Sequence, residues 1–485
     1  MDLPCTPAYA LKFRLRIPNR PGMFARVADA VAAARGDFGT ITIVDETREE
    51  VIRDVTVRAS SLEHQNAISR AIGGVEGIRV LSVEDCTFAA HEGGKLEVIS
   101  RHPIRNAADL AQVYTPGVAR VCEAIREDPR RAWRLTIKRN TVAVVTDGSA
   151  VLGLGDIGPL AALPVMEGKA ALFKTFGGVD AFPVCLSERD PARIVETVKA
   201  IAPAFGGINL EDIAAPRCFE IEARLQDALD IPVFHDDQHG TAIVVLAALS
   251  NALRIVGKEI GAVRVIFSGV GAAGVACTRL LMAAGAKRIV GCDSRGAIYR
   301  GRAENMNPAK QWYAEHTNPE NVKGALADAL AGADVFIGVS APGLLRSADI
   351  KRMAKRAIVF ALANPEPEIR PEEAGPFAAI MATGRSDYPN QINNVLAFPG
   401  VFRGALDVHA SRITEGMKLA AAKTIAEAAG APLRPDAIVP STFAPGLAQG
   451  VARAVREAAV RDGVAGTRGD RIAGTDELHS PAGRP

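Results

Sequence analysis

The stretch Val263-Arg-Val-Ile-Phe267, followed by Ser268-Gly-Val-Gly-Ala-Ala-Gly274, decides the fold of the central part of this chain. The apolar run predicts a buried strand, and a helical stretch follows the three glycines. Gly269 allows a tight turn, Gly271 lets a pyrophosphate approach the backbone, and Gly274 lets helix and strand pack closely. We therefore predict a Rossmann-type dinucleotide-binding domain rather than an empty glycine-rich turn. Its predicted contacts are Gly269, Val270, Gly271, Ala272, Ala273 and Gly274.

A second predicted strand, Arg288 to Cys292, ends in Asp293. A carboxylate at this point accepts a hydrogen bond from a ribose 2′-hydroxyl and repels a 2′-phosphate, which favours NAD. Arg295 lies two residues further on and offers a guanidinium that could pair with the phosphate of NADP. We favour NAD and leave NADP open.

The bulk composition indicates a packed protein of several domains. The chain has 485 residues, of which 48% are hydrophobic and 23% charged, and about three domains are expected at this length. The net charge of +2 gives no electrostatic reason to expect nucleic acid or an anionic membrane as a partner.

The cysteines and the chain start favour a cytoplasmic location. The seven cysteines are scattered, with no C-x-x-C pair, which is typical of reduced thiols rather than a disulfide framework or zinc site. No basic segment followed by an apolar core opens the chain, so no signal peptide is expected. The longest apolar run, Ala242 to Leu249, is shorter than the ~20 residues that span a bilayer.

The first 90 residues predict a ferredoxin-like unit. Leu11, Phe13, Leu15 and Ile17 alternate with basic residues as in a half-buried strand, and the later periodicities complete a βαββαβ order. This order and the segment Asn19-Arg-Pro-Gly-Met-Phe24 resemble the ACT regulatory domain. The resemblance implies an amino-acid or metabolite effector near that turn, while a module that only assists assembly stays open.

We predict four further regions after this ACT-like domain at 1–90. They are an α/β substrate domain at 91–240, the Rossmann domain at 241–410, helices at 411–465 that pack on the substrate domain, and a disordered tail at 466–485.

Two polar residues stand out in the substrate domain. Tyr114 opens Tyr-Thr-Pro-Gly-Val-Ala119, where a rigid loop precedes a helix, although a tyrosine is more often a packing residue. Lys169 precedes the apolar stretch Ala170 to Phe173. Desolvation there would lower the lysine pKa, as a general base requires, whereas a surface lysine is the more ordinary outcome.

An acidic cluster predicts a site for a hard divalent cation. Glu211 and Asp212 are adjacent, and Asp237 lies in the segment Phe234-His-Asp-Asp-Gln-His-Gly-Thr241. Carboxylate oxygens suit Mg²⁺ or Mn²⁺, although acidic pairs are commonly only solvated. Glu220 and Glu222 remain competing carboxylates, and we interpret His235 and His239 as supporting residues rather than ligands.

These motifs together resemble the malic enzyme family, in particular its short bacterial form, over about residues 96–460. The resemblance rests on Tyr114-Thr-Pro-Gly-Val-Ala, Gly153-Leu-Gly-Asp-Ile-Gly, Glu167-Gly-Lys-Ala, Leu210-Glu-Asp, His235-Asp-Asp-Gln-His-Gly-Thr, Ala363-Asn-Pro and Asn393-Asn394 through Phe398-Pro-Gly.

The resemblance implies oxidative decarboxylation of malate to pyruvate with NAD or NADP and Mg²⁺ or Mn²⁺. It implies Tyr114 as general acid, Lys169 as general base, and Glu211, Asp212 and Asp237 as metal ligands. It also implies substrate contacts from Asn364 and Asn394, with Asn364 near the nicotinamide and Ser340 beside the cofactor ribose. In the longer form an arginine that pairs with a malate carboxylate stands at the position of Ala150, so Ser149 and backbone N–H groups become the candidates here.

In the implied mechanism, neutral Lys169 takes the C2 hydroxyl proton and Tyr114 protonates C3 after CO₂ leaves. A neighbouring Lys169 would tune Tyr114, so that the two titrate as a pair. Two alternatives stay open: a metal-assisted dehydrogenase that does not decarboxylate, and a metabolite sensor with vestigial catalytic domains. We expect a homodimer or a larger homo-oligomer.

Overall fold

The computed structural model describes residues 5–466. The predicted disordered tail lies outside the described residues, apart from Gly466. The chain divides into two compact units, Met1–Glu97 and a second unit that begins at Val98. The remaining predicted domain boundaries stay predictions.

The first unit has the predicted βαββαβ order. Its elements are β1 (Thr6–Pro18), α1 (Met23–Ala33), β2 (Asp37–Glu46), β3 (Glu50–Ala59), α2 (Leu62–Gly73), β4 (Arg79–Asp85) and α3 (Cys86–Ala89). The strands form an antiparallel sheet in the order β2-β3-β1-β4. The alternating residues Phe13 and Leu15 are fully buried because one face of the sheet packs on the helices. The ferredoxin-like fold is confirmed, and the ACT resemblance stays a prediction.

The second unit begins with helices and a parallel sheet. Its first elements are α4 (Ala107–Val113), α5 (Gly117–Glu127), α6 (Ala132–Leu135), β5 (Thr141–Thr146), α7 (Gly158–Gly177), β6 (Asp180–Cys185), α8 (Pro191–Ile201), β7 (Gly207–Leu210), α9 (Arg217–Ala228), β8 (Val233–His235) and α10 (Asp236–Val256). The strand order is β6-β5-β7-β8, and every pairing is parallel. The carboxyl ends of these strands therefore lie at one edge.

The chain then forms the predicted dinucleotide-binding sheet. Its elements are β9 (Arg264–Ser268), α11 (Ala272–Ala283), β10 (Arg288–Asp293), β11 (Gly296–Ala297), α12 (Pro308–His316), α13 (Leu326–Leu330), β12 (Val335–Gly338), α14 (Ser347–Lys351), β13 (Ile358–Ala361), α15 (Pro371–Ala374) and β14 (Ile380–Thr383). The order β11-β10-β9-β12-β13-β14 reverses direction between β9 and β12. Such a switch point leaves a crevice at the carboxyl ends of the strands, where dinucleotides bind. The α/β fold class with a Rossmann-type domain is confirmed.

The remaining helices are α16 (Phe398–Asp407), α17 (Glu415–Ala428) and α18 (Leu447–Arg461). α18 packs against α16 and α17, and α17 packs against α10. Among the described residues, α10 alone is long and apolar enough to cross a membrane, but 72% of its apolar window is buried inside the protein. It contains the apolar run noted in the sequence and lies in the core.

Candidate active site

Three carboxylates meet where two strands of the first parallel sheet end. Glu211 and Asp212 follow β7 directly, and Asp237 lies in the first turn of α10, after β8. One oxygen from each lies within 4.8 Å of the others. The Asp212 backbone N–H donates to Asp237 Oδ2 at 2.8 Å, and Asp212 adopts a left-handed φ of 54°. The fold therefore brings together the three carboxylates predicted as metal ligands.

The triad carries more negative charge than its surroundings neutralise. Burial and the charge of Asp237 raise the pKa of Asp212 to about 8. Burial also raises the pKa of Glu211 well above its usual range, although Lys169 opposes the shift. The buried Asp212 Oδ2 has no hydrogen-bond partner in the described part of the chain. A divalent cation would satisfy this oxygen and relieve the repulsion, so the residues fit Mg²⁺ or Mn²⁺.

Lys169 lies beside this triad. It projects from α7, and its Nζ lies 2.6 Å from Asp236 Oδ2 and 2.9 Å from Glu211 Oε1. Nζ also lies 4.2 Å from the centre of the Phe398 ring. One turn after Lys169, Phe173 packs edge-on against Phe398 with ring centres 4.7 Å apart. The aromatic packing between α7 and α16 thus fixes the lysine against the acids.

The prediction that burial lowers the Lys169 pKa is wrong for this arrangement. Burial does favour the neutral amine, but Asp236 and Glu211 outweigh it and the pKa rises above its ordinary value. Asp236, which has no exposed side-chain surface, received no role from the sequence. The only feature of the sequence that pointed to Asp236 was its position next to Asp237. Its contact with Lys169 could not be predicted, because the two residues are 67 positions apart in the chain.

Asn394 and Ser149 both support this region through their side chains. Asn394 Nδ2 donates to Asp236 Oδ2 at 3.0 Å, and its Oδ1 accepts from Thr241 at 3.1 Å. Ser149 Oγ donates to Asp147 at 2.5 Å and accepts from the Ala214 N–H at 2.9 Å. Both predicted substrate contacts therefore lie close to the acidic cluster, but their side chains already have partners.

The loop that contains Ala150, where the longer family form has an arginine, adjoins the loop that contains Asp212. The Ala150 N–H donates to the Asp212 carbonyl at 3.0 Å. Arg217, which the sequence reading overlooked, donates from Nη2 to the buried Asp147 at 2.7 Å. A guanidinium is therefore present beside this loop, although it comes from α9.

Tyr114 has a different environment. Its side chain is 63% exposed, and among residues 5–466 nothing is recorded as hydrogen-bonding to its phenol. The acids beside Lys169, and not Tyr114, determine the lysine pKa. Helices α4 and α5, which flank Tyr114, contain no buried residue. The structure of one chain thus does not place Tyr114 and Lys169 as a coupled pair.

The glycine loop has the predicted shape. A Cβ on Gly274 would lie 1.9 Å from the Gly269 carbonyl oxygen, so only glycine fits there. Helix α11 begins at Ala272 without a side-chain cap, which leaves its first N–H groups free for phosphate oxygens. Ser340, after β12, has its Oγ 2.8 Å from Ser268 Oγ at the end of β9. These predicted contacts therefore lie along one crevice.

Asn364 marks the point where the crevice meets the substrate loop. A Cβ on Gly153 would lie 2.2 Å from the Asn364 carbonyl oxygen. The glycine turn that begins at Gly153 therefore touches the loop after β13. The cofactor crevice and the acidic site lie next to each other in this unit.

Asp293 has more partners than the sequence predicted. Arg302 Nη2 donates to both carboxylate oxygens at 2.8 Å, and Lys310 Nζ donates to Oδ2 at 2.8 Å. Burial opposes ionisation, but these cations and the Arg295 backbone N–H lower the pKa of Asp293. The Arg295 guanidinium instead points to Glu304, at 3.3 Å. The cations that contact the Asp293 carboxylate are thus Arg302 and Lys310.

The competing carboxylates have other partners. Glu222 is buried, accepts the His235 backbone N–H at 2.9 Å, and lies 2.9 Å from His239 Nε2. Glu220 pairs with Arg224 at 3.0 Å on the exposed side of α9. His235 Nδ1 lies 3.6 Å from Asp237 Oδ2. Within the described residues, Glu211, Asp212 and Asp237 therefore form the group whose oxygens lie close enough to share a metal ion, and His235 and His239 lie around it.

A dinucleotide crevice beside a carboxylate metal site and a buried lysine defines a metal-assisted, nicotinamide-dependent oxidoreductase. Comparison with known proteins makes the class specific. Residues 93–226 match the family model "Malic enzyme, N-terminal domain", and residues 238–460 match "Malic enzyme, NAD binding domain". The chain therefore belongs to the malic enzyme family.

Individual relatives agree with this assignment. The chain is 57% identical to an NAD-dependent malic enzyme of Geobacillus stearothermophilus, over 96% of this chain and 97% of the relative. It is 56% identical to the bifunctional malic/malolactic enzyme of Bacillus subtilis, over 77% and 91% of the two chains. The malic enzyme structure of Pyrococcus horikoshii is 52% identical, with a TM-score of 0.74, over 77% of this chain and 88% of that one. The chain is thus a decarboxylating malate oxidoreductase that uses NAD or NADP, as the sequence predicted.

Proposed function

We propose that Lys169, with Asp236, removes the C2 hydroxyl proton of malate, and that Glu211, Asp212 and Asp237 hold the divalent cation. The contact of Lys169 with both Asp236 and the triad residue Glu211, at 2.6 and 2.9 Å, carries this assignment. When bound, the cation supplies Lewis acidity that stabilises negative charge on the substrate oxygens.

The two acids explain how a lysine with a raised pKa can serve as a base. An ammonium group beside two carboxylates holds its proton tightly. A cation held by the triad would share the negative charge of Glu211, and Asp236 would then be the main anion beside Lys169. Asp236, at 2.6 Å, is then placed to take the lysine proton, so that Lys169 can accept one from malate.

We propose that Tyr114 protonates C3 in an active site completed by a second copy of the chain. Several apolar side chains before and around Tyr114 are exposed, Val98 to 83%, and clustered exposed apolar residues commonly mark an interface. The exposed large apolar residues of the segment 98–114 are Val98, Ile99, Ile104, Leu110, Val113 and Tyr114. A homodimer would cover them and could bring Tyr114 to the Lys169 of the other copy.

We propose NAD as the preferred cofactor, with NADP also accepted. Asp293 at the end of β10 favours a ribose 2′-hydroxyl, and the relative from Geobacillus stearothermophilus is named NAD-dependent. Arg302 and Lys310 neutralise that carboxylate, however, which weakens its repulsion of a 2′-phosphate.

Initial rates with malate and Mn²⁺, measured with NAD and with NADP, test this function. Release of CO₂ in step with reduced cofactor is expected, with a higher kcat/KM for NAD. Reduced cofactor without CO₂ would instead indicate a dehydrogenase that does not decarboxylate.

We further propose a cytoplasmic location and an effector at the first unit. The turn before α1 is the candidate effector site. There the Asn19 side chain donates to the Thr47 carbonyl at 2.7 Å, which fixes the turn against the β2–β3 loop. A thermal stability screen against amino acids and acyl-CoAs tests for an effector, since a ligand of the folded state raises Tm. No shift with any compound would favour a module for assembly.

A further inference from the structure

A fully buried carboxylate, Glu368, lies beneath the cofactor crevice. Its Oε1 accepts the Ser340 backbone N–H at 2.9 Å, and its Oε2 accepts the Ala363 N–H at 3.1 Å. Ser340 follows β12 and Ala363 follows β13, so one side chain joins the loops at the ends of two neighbouring strands. Neither sequence motif nor spacing assigned Glu368 a role.

The surroundings of Glu368 suit an ionised acid without a cationic partner. Both oxygens accept backbone N–H groups, and the Ser340 hydroxyl lies 3.4 Å from Oε1 as a further donor, a set of contacts that suits a carboxylate. Among the described residues, no lysine, arginine or histidine forms an ion pair with Glu368. A Cβ on Gly338 would lie 2.3 Å from the Glu368 carboxyl carbon, so the glycine makes room for this group. Burial raises the pKa of Glu368 above its usual value, and the N–H groups of Ser340 and Ala363 reduce this rise without cancelling it.

The sheet order shows which half of the cofactor lies above Glu368. In a doubly wound sheet each half binds one mononucleotide, on either side of the switch point. Asp293, at the end of β10, marks the adenosine side. The loops after β12 and β13 therefore serve the nicotinamide side, where Asn364 also meets the substrate turn at Gly153.

We propose that Glu368 is a positioning residue that also selects the oxidation state of the cofactor. The nicotinamide ring is cationic in NAD⁺ and neutral in NADH. A fixed anion in a water-poor site stabilises the cationic ring and has little effect on the neutral one. Glu368 thus favours binding of the oxidised cofactor and release of the reduced one. The proposal requires that the nicotinamide lies on the side of β12 and β13, and it does not depend on the catalytic roles proposed for Lys169 and Tyr114.

The test compares the dissociation constants of NADH, from its fluorescence, and of NAD⁺, by competition, without malate. In the wild-type protein, NAD⁺ is expected to bind at least as tightly as NADH. In Glu368→Gln the ratio Kd(NADH)/Kd(NAD⁺) should fall about fivefold or more, as expected for loss of one buried charge near a cation. Glu366→Gln is the matched control, because this nearby acid is already paired with Arg385 at 2.9 Å, and its ratio should not change.

Equal weakening of both cofactor forms in Glu368→Gln would show a purely structural role and overturn the proposal. A ratio that falls as far in Glu366→Gln would also overturn it. If Glu368→Gln does not fold, the wild-type comparison still decides, since tighter binding of NADH than of NAD⁺ contradicts the proposal. None of these outcomes affects malate oxidation by the wild-type protein, so failure here is separate from failure of the proposed catalytic roles.

Discussion

A pair of variants tests whether two chains share one active site. Tyr114→Phe removes a hydroxyl that is largely exposed and makes no recorded hydrogen bond, so the free energy of unfolding should change by less than about 0.5 kcal/mol. Lys169→Met would leave Asp236 and Glu211 buried without a cation, at a cost of about 3–5 kcal/mol. Lys169→Arg is the better partner, because it keeps the charge and cannot give up its proton.

Tyr114→Phe and Lys169→Arg, each made alone, should lower kcat by a factor of about 10² to 10⁴, which is the usual contribution of a proton-transfer group. Mixed dimers, purified through two different tags after co-expression, contain one variant chain of each kind. If Tyr114 acts on the other copy, one of the two sites is intact and the other has both changes. The mixed dimer should then show about half of the wild-type activity, as two-fold symmetry requires.

The assay is malate oxidation with Mn²⁺, with Tm measured in parallel. Mixed dimers of Tyr9→Phe and Lys174→Arg serve as controls. Tyr9 is exposed, and Lys174 lies on the exposed side of the same helix as Lys169, where it pairs with Asp180 of β6. Mixed dimers that are no more active than their parents would refute a shared site. Tyr114 would then have to reach Lys169 within its own chain.

Three further predictions follow from single contacts. Asp237→Ala should abolish both metal-dependent turnover and the rise in Tm that Mn²⁺ causes, because the two remaining carboxylates hold the ion poorly. An unchanged rise in Tm with Mn²⁺ would contradict the role of Asp237 as a ligand. Lys310→Gln should lower kcat/KM for NADP about tenfold more than for NAD. Asp293 loses a cation at 2.8 Å and therefore repels the 2′-phosphate more strongly. Equal losses of kcat/KM for the two cofactors would contradict this role of Lys310. Burial favours protonation of Glu222, but His239, together with His235 and Lys418, outweighs it and lowers the pKa of Glu222 from 4.5 to about 2. Its stabilisation is therefore present above pH 4.5 and lost as the pH falls toward 2. Urea unfolding should show Glu222→Gln less stable than wild type at pH 7, and a difference that did not narrow at low pH would disprove this origin.

The sequence determined the features that depend on local pattern. Alternation at Leu11, Phe13 and Leu15 predicted a half-buried strand, because a strand has a two-residue period and one covered face. The loop from Gly269 to Gly274 predicted the dinucleotide crevice, because its steric requirements arise within a few residues. The three carboxylates of the triad were also found in this way, since each follows a strand of one parallel sheet and such ends meet at one edge.

Only the tertiary structure determined which groups lie close together in space although they are far apart in the chain. The partners of Lys169 reverse the expected direction of its pKa, and no spacing reveals a contact with Asp236. Glu368 likewise reaches Ser340 across 28 residues. The exposure of Tyr114 is likewise visible only in the folded chain, and it is the reason for our proposal that a second copy completes the site. Electrostatic energies depend on distance and burial, and both are properties of the folded protein rather than of residue order.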